Sequence, residues 1–159
     1  MRLSAFQLTA AILLCASSAL AQAHGLGPKD TFAAARLSAK EVREITDGVE
    51  QSAFDTPDSW ESELRVRRVD LGNGSGIVVQ GTKLLCGGTG NCQIFVFRRV
   101  GQDWVPLFAG EEAPVVEGFS FGPEATRGIK DLHVQANSSA DKSSSGTYRF
   151  DGKFYRAAK

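Results

Sequence analysis

The sequence has no surplus of either charge. Eighteen Lys and Arg residues balance eighteen Asp and Glu, so the basic stripe that nucleic-acid binding requires is missing. Histidine is scarce at two residues and cysteine is limited to three. The two thiols beyond the N-terminal apolar stretch and the two histidines fall short of a structural zinc set unless all four converge. After residue 23 no apolar run is long enough to span a membrane. The one glycine-rich loop is not followed by Gly-Lys-Ser/Thr, which excludes a P-loop. No paired acids and no Ser-His-Asp set stand out, which turns the reading away from catalysis.

What is present begins with an export signal. Met1-Arg2, an apolar stretch from Ala5 to Leu20 and the small-x-small end Ala21-Gln22-Ala23 read as a signal peptide over residues 1–23. Ala21 offers an alternative cleavage point. Cys15 leaves with the signal, and the bulky Leu14 before it is a poor site for lipid attachment. The remaining pair, Cys86 and Cys92, is expected to form a disulfide in an oxidising compartment. A secreted protein, periplasmic or extracellular, is the localisation this implies.

Residues 24–36, with Gly25, Gly27 and Pro28, read as a loosely ordered lead-in, and 37–159 as a single α+β domain. Ser38-Ala39-Lys40-Glu41 has the form of a capping box, and Leu37 is placed to staple onto Val42. Val42, Ile45 and Val49 recur at helical spacing, Gly48 weakens the helix, and Pro57 ends any continuation. From Trp60 the chain alternates short β-like runs with turn chemistry. Ile94-Phe95-Val96-Phe97 is apolar on both faces, which predicts a central strand covered by the helix on one side. Asn137–Gly146 is Ser-rich and reads as a long mobile loop. Asp151-Gly152 predicts a two-residue type I′ hairpin with Phe150 opposite Lys153 and Tyr148 opposite Tyr155. The expected fold is α+β: one N-terminal helix packed on an antiparallel, meander-like sheet of about five to seven short strands.

Several segments carry candidate chemistry. Gly87, Gly88, Thr89, Gly90 and Asn91 lie between the two cysteines. A bridge there closes a tight loop, contributing about 2.5 kcal/mol by chain entropy. Consecutive glycines expose N–H groups that suit a binding loop. Asp131, His133 and Gln135 alternate with Leu132 and Val134, giving a polar row on one sheet face. Gly118-Phe119-Ser120-Phe121-Gly122 has the spacing of a nucleophile elbow. Pro123 follows at once, and no helical period comes after it, so the strand-to-helix context is missing. If cleavage follows Ala23, His24 becomes the mature terminus, and its amine and imidazole with His133 could hold copper. His-Gly at a mature terminus resembles the start of bacterial lytic polysaccharide monooxygenases and of some periplasmic copper carriers, over these two residues alone.

Two further resemblances attach to longer segments. Leu85–Cys92, the aromatic strand ending Phe97-Arg98-Arg99 and the segment Tyr148–Tyr155 resemble a group of uncharacterised secreted bacterial proteins. That likeness covers most of the chain after Trp60 and implies no activity. Val69–Val79 resembles the calcium loop of FG-GAP/VCBS propeller blades. Such loops carry several alternating acids. Here Asp70 is the one acid, Ser75 stands where a second is expected, and the spacing is one residue long. The functional expectation is a non-enzymatic binding or inhibitor module of the bacterial envelope, its partner an unknown protein or envelope ligand. It needs no cofactor. The alternative is a small copper protein using His24 and His133.

Overall fold

The computed structural model describes residues 25–51, 60–139 and 142–159. The segment 1–23 read as a signal peptide, His24 and Pro57 lie outside these residues. Helix α1, Ala39–Glu50, starts where the capping box places it. The Ser38 hydroxyl accepts the Glu41 N–H, and the Ser38 N–H donates to Glu41 Oε2 at 2.9 Å. Ile45 and Val49 form its buried stripe.

The strands are β1 (Leu64–Asp70), β2 (Ser75–Gly81), β3 (Cys92–Val100), β4 (Asp103–Pro106), β5 (Val115–Val116), β6 (Gly118–Thr126), β7 (Ile129–Ser139), β8 (Lys142–Phe150) and β9 (Tyr155–Ala157). They form two antiparallel sheets. The first has order β1-β2-β3-β4 with β5 also pairing β3, and the second has order β6-β7-β8-β9. The α+β class is as expected, but among the described residues nine strands in two sheets replace five to seven in one meander. The second sheet was obscured because half of its central hairpin is polar. Within 137–146, read as a mobile loop, residues 137–139 instead extend β7 and residues 142–146 belong to β8, with Asn137 opposite Ser143 and Ala136 opposite Ser144. Serine lacks the β-propensity that marks a strand in a sequence, and here the backbone ladder carries the pairing.

Strand β3 is buried on both faces. Phe95 and Phe97 lie on one face with Ile77, Val79 and Val66, while Ile94 and Val96 lie on the other with Val78. Helix α1 covers the first face. A Cβ on Gly48 would stand 2.6 Å from Phe97 Cε1, so the glycine that weakens the isolated helix permits its close seating. At the helix start, Glu41 Oε1 accepts from Arg99 Nη1 at 2.5 Å and from Trp104 Nε1 at 3.2 Å. Arg68 and Arg99 lie over the Trp104 ring at 5.8 and 5.2 Å.

The second sheet covers the other face. Arg98 sets its guanidinium 5.1 Å from the Phe150 ring centroid, and Phe108 packs on both Tyr148 and Tyr155. Main-chain bonds stitch the layers. Leu107 donates to Val96 O and accepts from Tyr155 N, each at 2.7 Å, while Lys130 N donates to Leu71 O at 2.8 Å. The segment 25–36 has no helix or strand, yet it is tied to the first sheet. Leu26 N donates to Gln80 Oε1, and Arg67 makes a two-pronged pair with Asp30.

The final hairpin departs from the expected register. Phe150 faces Tyr155 and Tyr148 faces Ala157, enclosing the four residues Asp151–Phe154. The reason is the Asp151 side chain: its Oδ1 accepts from Lys153 N at 2.7 Å and Phe154 N at 2.8 Å, closing a wider turn. Only Gly152 in this turn has a positive φ, +115°, whereas type I′ requires two such residues. Tyr148 and Tyr155 still share a face, as diagonal rather than direct neighbours.

Two outcomes check this packing. Gly48→Ala is expected to lower the denaturation midpoint: overpacking against Phe97 costs about 1–3 kcal/mol, exceeding a helix-propensity gain of at most ~1 kcal/mol. An unchanged or raised midpoint would contradict the seating of α1 on Phe97. The second is a pH dependence. Hydrogen bonds from the Ser38 N–H first, then from its hydroxyl, Arg99 and Trp104, hold the Glu41 carboxyl down at about 2, against an ordinary 4.5. A depressed folded-state pKa gives stability that is full above the ordinary value and lost as pH falls toward the folded one. Acid unfolding profiles should therefore show Glu41→Gln less stable than wild type at pH 7, the difference shrinking between about pH 4.5 and 2. A pH-independent difference would rule out the carboxylate as the anchor.

Candidate functional site

The first expected element is present: Cys86 and Cys92 form a disulfide, six residues apart in sequence, as opposed partners of an isolated antiparallel bridge. Inside it, Gly87 N donates to Asn91 O at 2.8 Å and Gly90 N to Gly87 O at 3.0 Å. Gly90 takes φ +81° to close this turn. Gly87, Gly88, Thr89 and Gly90 are exposed, and a Cβ at Gly88 would meet nothing within 4 Å. The loop tip is an open, covalently stapled surface.

Asn91 differs from its neighbours: it is buried, and its amide is spent inside the protein. Its Nδ2 donates to Asn137 O at 2.7 Å and to Thr89 Oγ1 at 2.9 Å, and its Oδ1 accepts from Asn137 N at 2.8 Å. The side-chain amide thus pairs with the β7 backbone as another strand would, just past the point where Glu117 N donates to Gln135 O. Asn137 Nδ2 reaches back to Thr89 O at 3.3 Å. The loop from the first sheet is thereby clamped to the second.

The polar row is also formed. Opposite His133 stand Ser120 on β6 and Thr147 on β8, and opposite Gln135 stand Gly118 and Ser145. Asp131, His133, Gln135 and Asn137 occupy alternate positions of β7, so one face leads from the buried Asp131 to the disulfide loop. Asp131 accepts from Thr126 Oγ1 at 2.7 Å and from Arg149 Nε at 3.2 Å. His133 Nδ1 lies 3.0 Å from Thr147 Oγ1, and its Nε2 lies 3.6 Å from Glu124 Oε2. An irregularity between Phe121 and Ala125 brings Glu124 there. Gly122 leaves the required room, since a Cβ at that position would collide with both His133 Nε2 and Glu124 Oε2.

The remaining motifs fall elsewhere. Ser120 sits within β6 rather than at a strand-to-helix turn, so the elbow spacing lacks the geometry that gives it meaning. His24 lies outside the described residues, and the side chain of His133 is 41% exposed. Among the described residues no group of three or more His, Cys, Asp or Glu is placed to hold a metal ion. In the segment that resembles a calcium loop, the Asp70 carboxylate accepts from Gly72 N at 2.9 Å and Lys130 Nζ at 2.7 Å. No helix of the described residues is long and apolar enough to cross a membrane.

Sequence reasoning missed Asn137, Thr147, Glu124 and Arg149. Asn137 was legible in principle, because the alternation of Asp131, His133 and Gln135 runs on to it. The other three reach the site through strand pairing and a bulge, which no local pattern carries. No protein-family model, curated protein or solved structure matches the chain. The geometry defines a disulfide-stapled α+β domain with one polar sheet face leading to an exposed glycine-rich loop.

The clamp has a measurable consequence. Asn91→Ala leaves the N–H and C=O of Asn137 without these partners, and a cost of about 1–3 kcal/mol is expected in denaturant unfolding. A midpoint equal to wild type would show that the amide does not join the loop to β7.

Proposed function

We propose that this protein is a secreted, non-enzymatic binding or inhibitor module of the bacterial cell envelope. Its contact surface is the exposed tip Gly87–Gly90 with the polar face bearing His133 and Gln135. The single observation that supports this reading most is the Asn91–Asn137 clamp, which makes loop and sheet face one pre-ordered surface. Pre-ordering favours binding because less conformational entropy is lost on association. The disulfide adds to it, and also suits an oxidising compartment. The side chains on the face answer one another, Asp131 with Arg149 and His133 with Thr147 and Glu124. That arrangement is suited to recognition rather than to activating a nucleophile.

Gly88→Arg provides the test, since open space around Gly88 lets a long side chain enter without strain. Wild-type protein immobilised on a sensor should retain a component of a detergent-solubilised envelope fraction, with free wild-type protein competing. Gly88→Arg should weaken this retention about tenfold or more at an unchanged denaturation midpoint. Equal retention by Gly88→Arg, or no competable retention by wild type, would refute the reading.

A further inference from the structure

We propose that the outer edge of β8 accepts an extended polypeptide segment as an added strand, one in which apolar residues alternate with acidic ones. The proposal rests on the reading of the domain as a binding module and assigns it a second, chemically defined contact. The edge follows from strand parity. Thr147 O accepts from Ala158 N at 2.7 Å, which turns the main-chain groups of Thr147 toward β9. Alternate residues of an antiparallel strand present N–H and C=O to the same side, so Ser143 and Ser145 turn theirs the same way. Strand β9 pairs with β8 only over Tyr148–Phe150. Among the described residues, no strand pairs with the outer edge of β8 beyond that point, its other edge being paired with β7. An unpaired row of donors and acceptors is a template for another strand. Four of the five residues there, Ser143, Ser144, Ser145 and Gly146, are small, and Lys142 is the one charge that guards the edge.

Both faces beside this edge are hollowed, and differently. On the side facing the first sheet lies a groove of about 270 Å³ whose lining includes Val115, Val116, Val134, Ala136 and Tyr148. Val115 is 40% exposed, unusual for a large apolar residue here. On the opposite side lies a hollow of about 420 Å³ whose lining includes His133, Thr147, Arg149 and Lys159. A strand sends successive side chains to opposite faces. One laid along the β8 edge would therefore place alternate residues against valine and tyrosine, and the others against arginine and lysine. Apolar side chains suit the first set and carboxylates the second. Asp131, the acid on the cationic side of β7, is already paired with Arg149, and Glu124 stands across His133. Main-chain bonds would supply the affinity and the two hollows the pattern.

The probe is a capped seven-residue peptide alternating valine and glutamate, titrated calorimetrically against the full chain, with backbone amides followed by NMR. Saturable binding is expected, with the Ser143 and Ser145 amides gaining exchange protection. The same peptide with lysine for glutamate should bind about tenfold more weakly. Ser145→Pro removes an outward N–H while leaving the β7 ladder intact, and should weaken binding about tenfold, whereas Ser145→Ala should stay within about twofold. A glutamate peptide N-methylated at alternate residues tests the same bond with the wild-type protein, so a folding defect in Ser145→Pro cannot mask the answer. Strand addition is overturned if the glutamate peptide fails to bind, if N-methylation leaves its affinity unchanged, or if a second copy or an N-terminal segment of the chain already protects these amides. Should the peptide fail while wild type still retains an envelope component through Gly88, strand addition falls and the binding-module reading stands.

Discussion

A strand apolar on both faces must be covered on both faces, and β3 imposes that demand on the whole molecule. Phe95 and Phe97 call for a layer on one side, and Ile94 and Val96 for a layer on the other. A single helix and a single one-sided sheet cannot meet both needs. The chain answers with α1 below and the four-stranded sheet above, and each burial draws roughly 1.5–3 kcal/mol per large side chain from the hydrophobic effect. The elements that join the layers sit beside β3: Leu107 bonds to Val96 on it, β5 pairs with its start, and the Cys86–Cys92 bridge fixes its entry.

Each cover is held by a different device. The helix is positioned by sterics at Gly48 and by charge at Glu41, whose carboxylate links the capping box to Arg99 and Trp104. An exposed ion pair of this kind contributes little alone. Here the partners also stack on an indole and close a helix end, so one carboxylate fixes both the start of α1 and its docking angle. The second sheet is held by continuity. The chain passes from β5 to β6 through Glu117, so it leaves β3 and joins β7 within three residues.

Much of this was legible where the signal is local. The capping box, the helical period and the two-faced apolar run of β3 all depend on residues close in sequence, and the structure realises each of them. The second sheet was less legible for a definite reason. The far half of its central hairpin is built from Asn137 and the exposed Ser143–Ser145, polar residues that give no apolar alternation. The last hairpin misled because Asp151-Gly152 satisfies a turn motif. The Asp151 carboxylate, by capping two N–H groups further on, selects a longer loop. In the site, the loop and the polar row were visible separately. Their union through Asn91 and Asn137 was not, because a side-chain amide taking the place of a strand leaves no periodic trace.

If β3 is the shared floor of both covers, helix, first sheet and second sheet cannot separate without exposing it. Native-state hydrogen exchange across the whole chain tests this most directly. Amides paired within Ile94–Phe97 and those paired within Leu132–Val134 are expected to open with the same free energy, equal to that of global unfolding. Second-sheet amides that exchange through a much cheaper opening, while those of β3 stay protected, would contradict the claim that β3 binds the two layers into one cooperative unit.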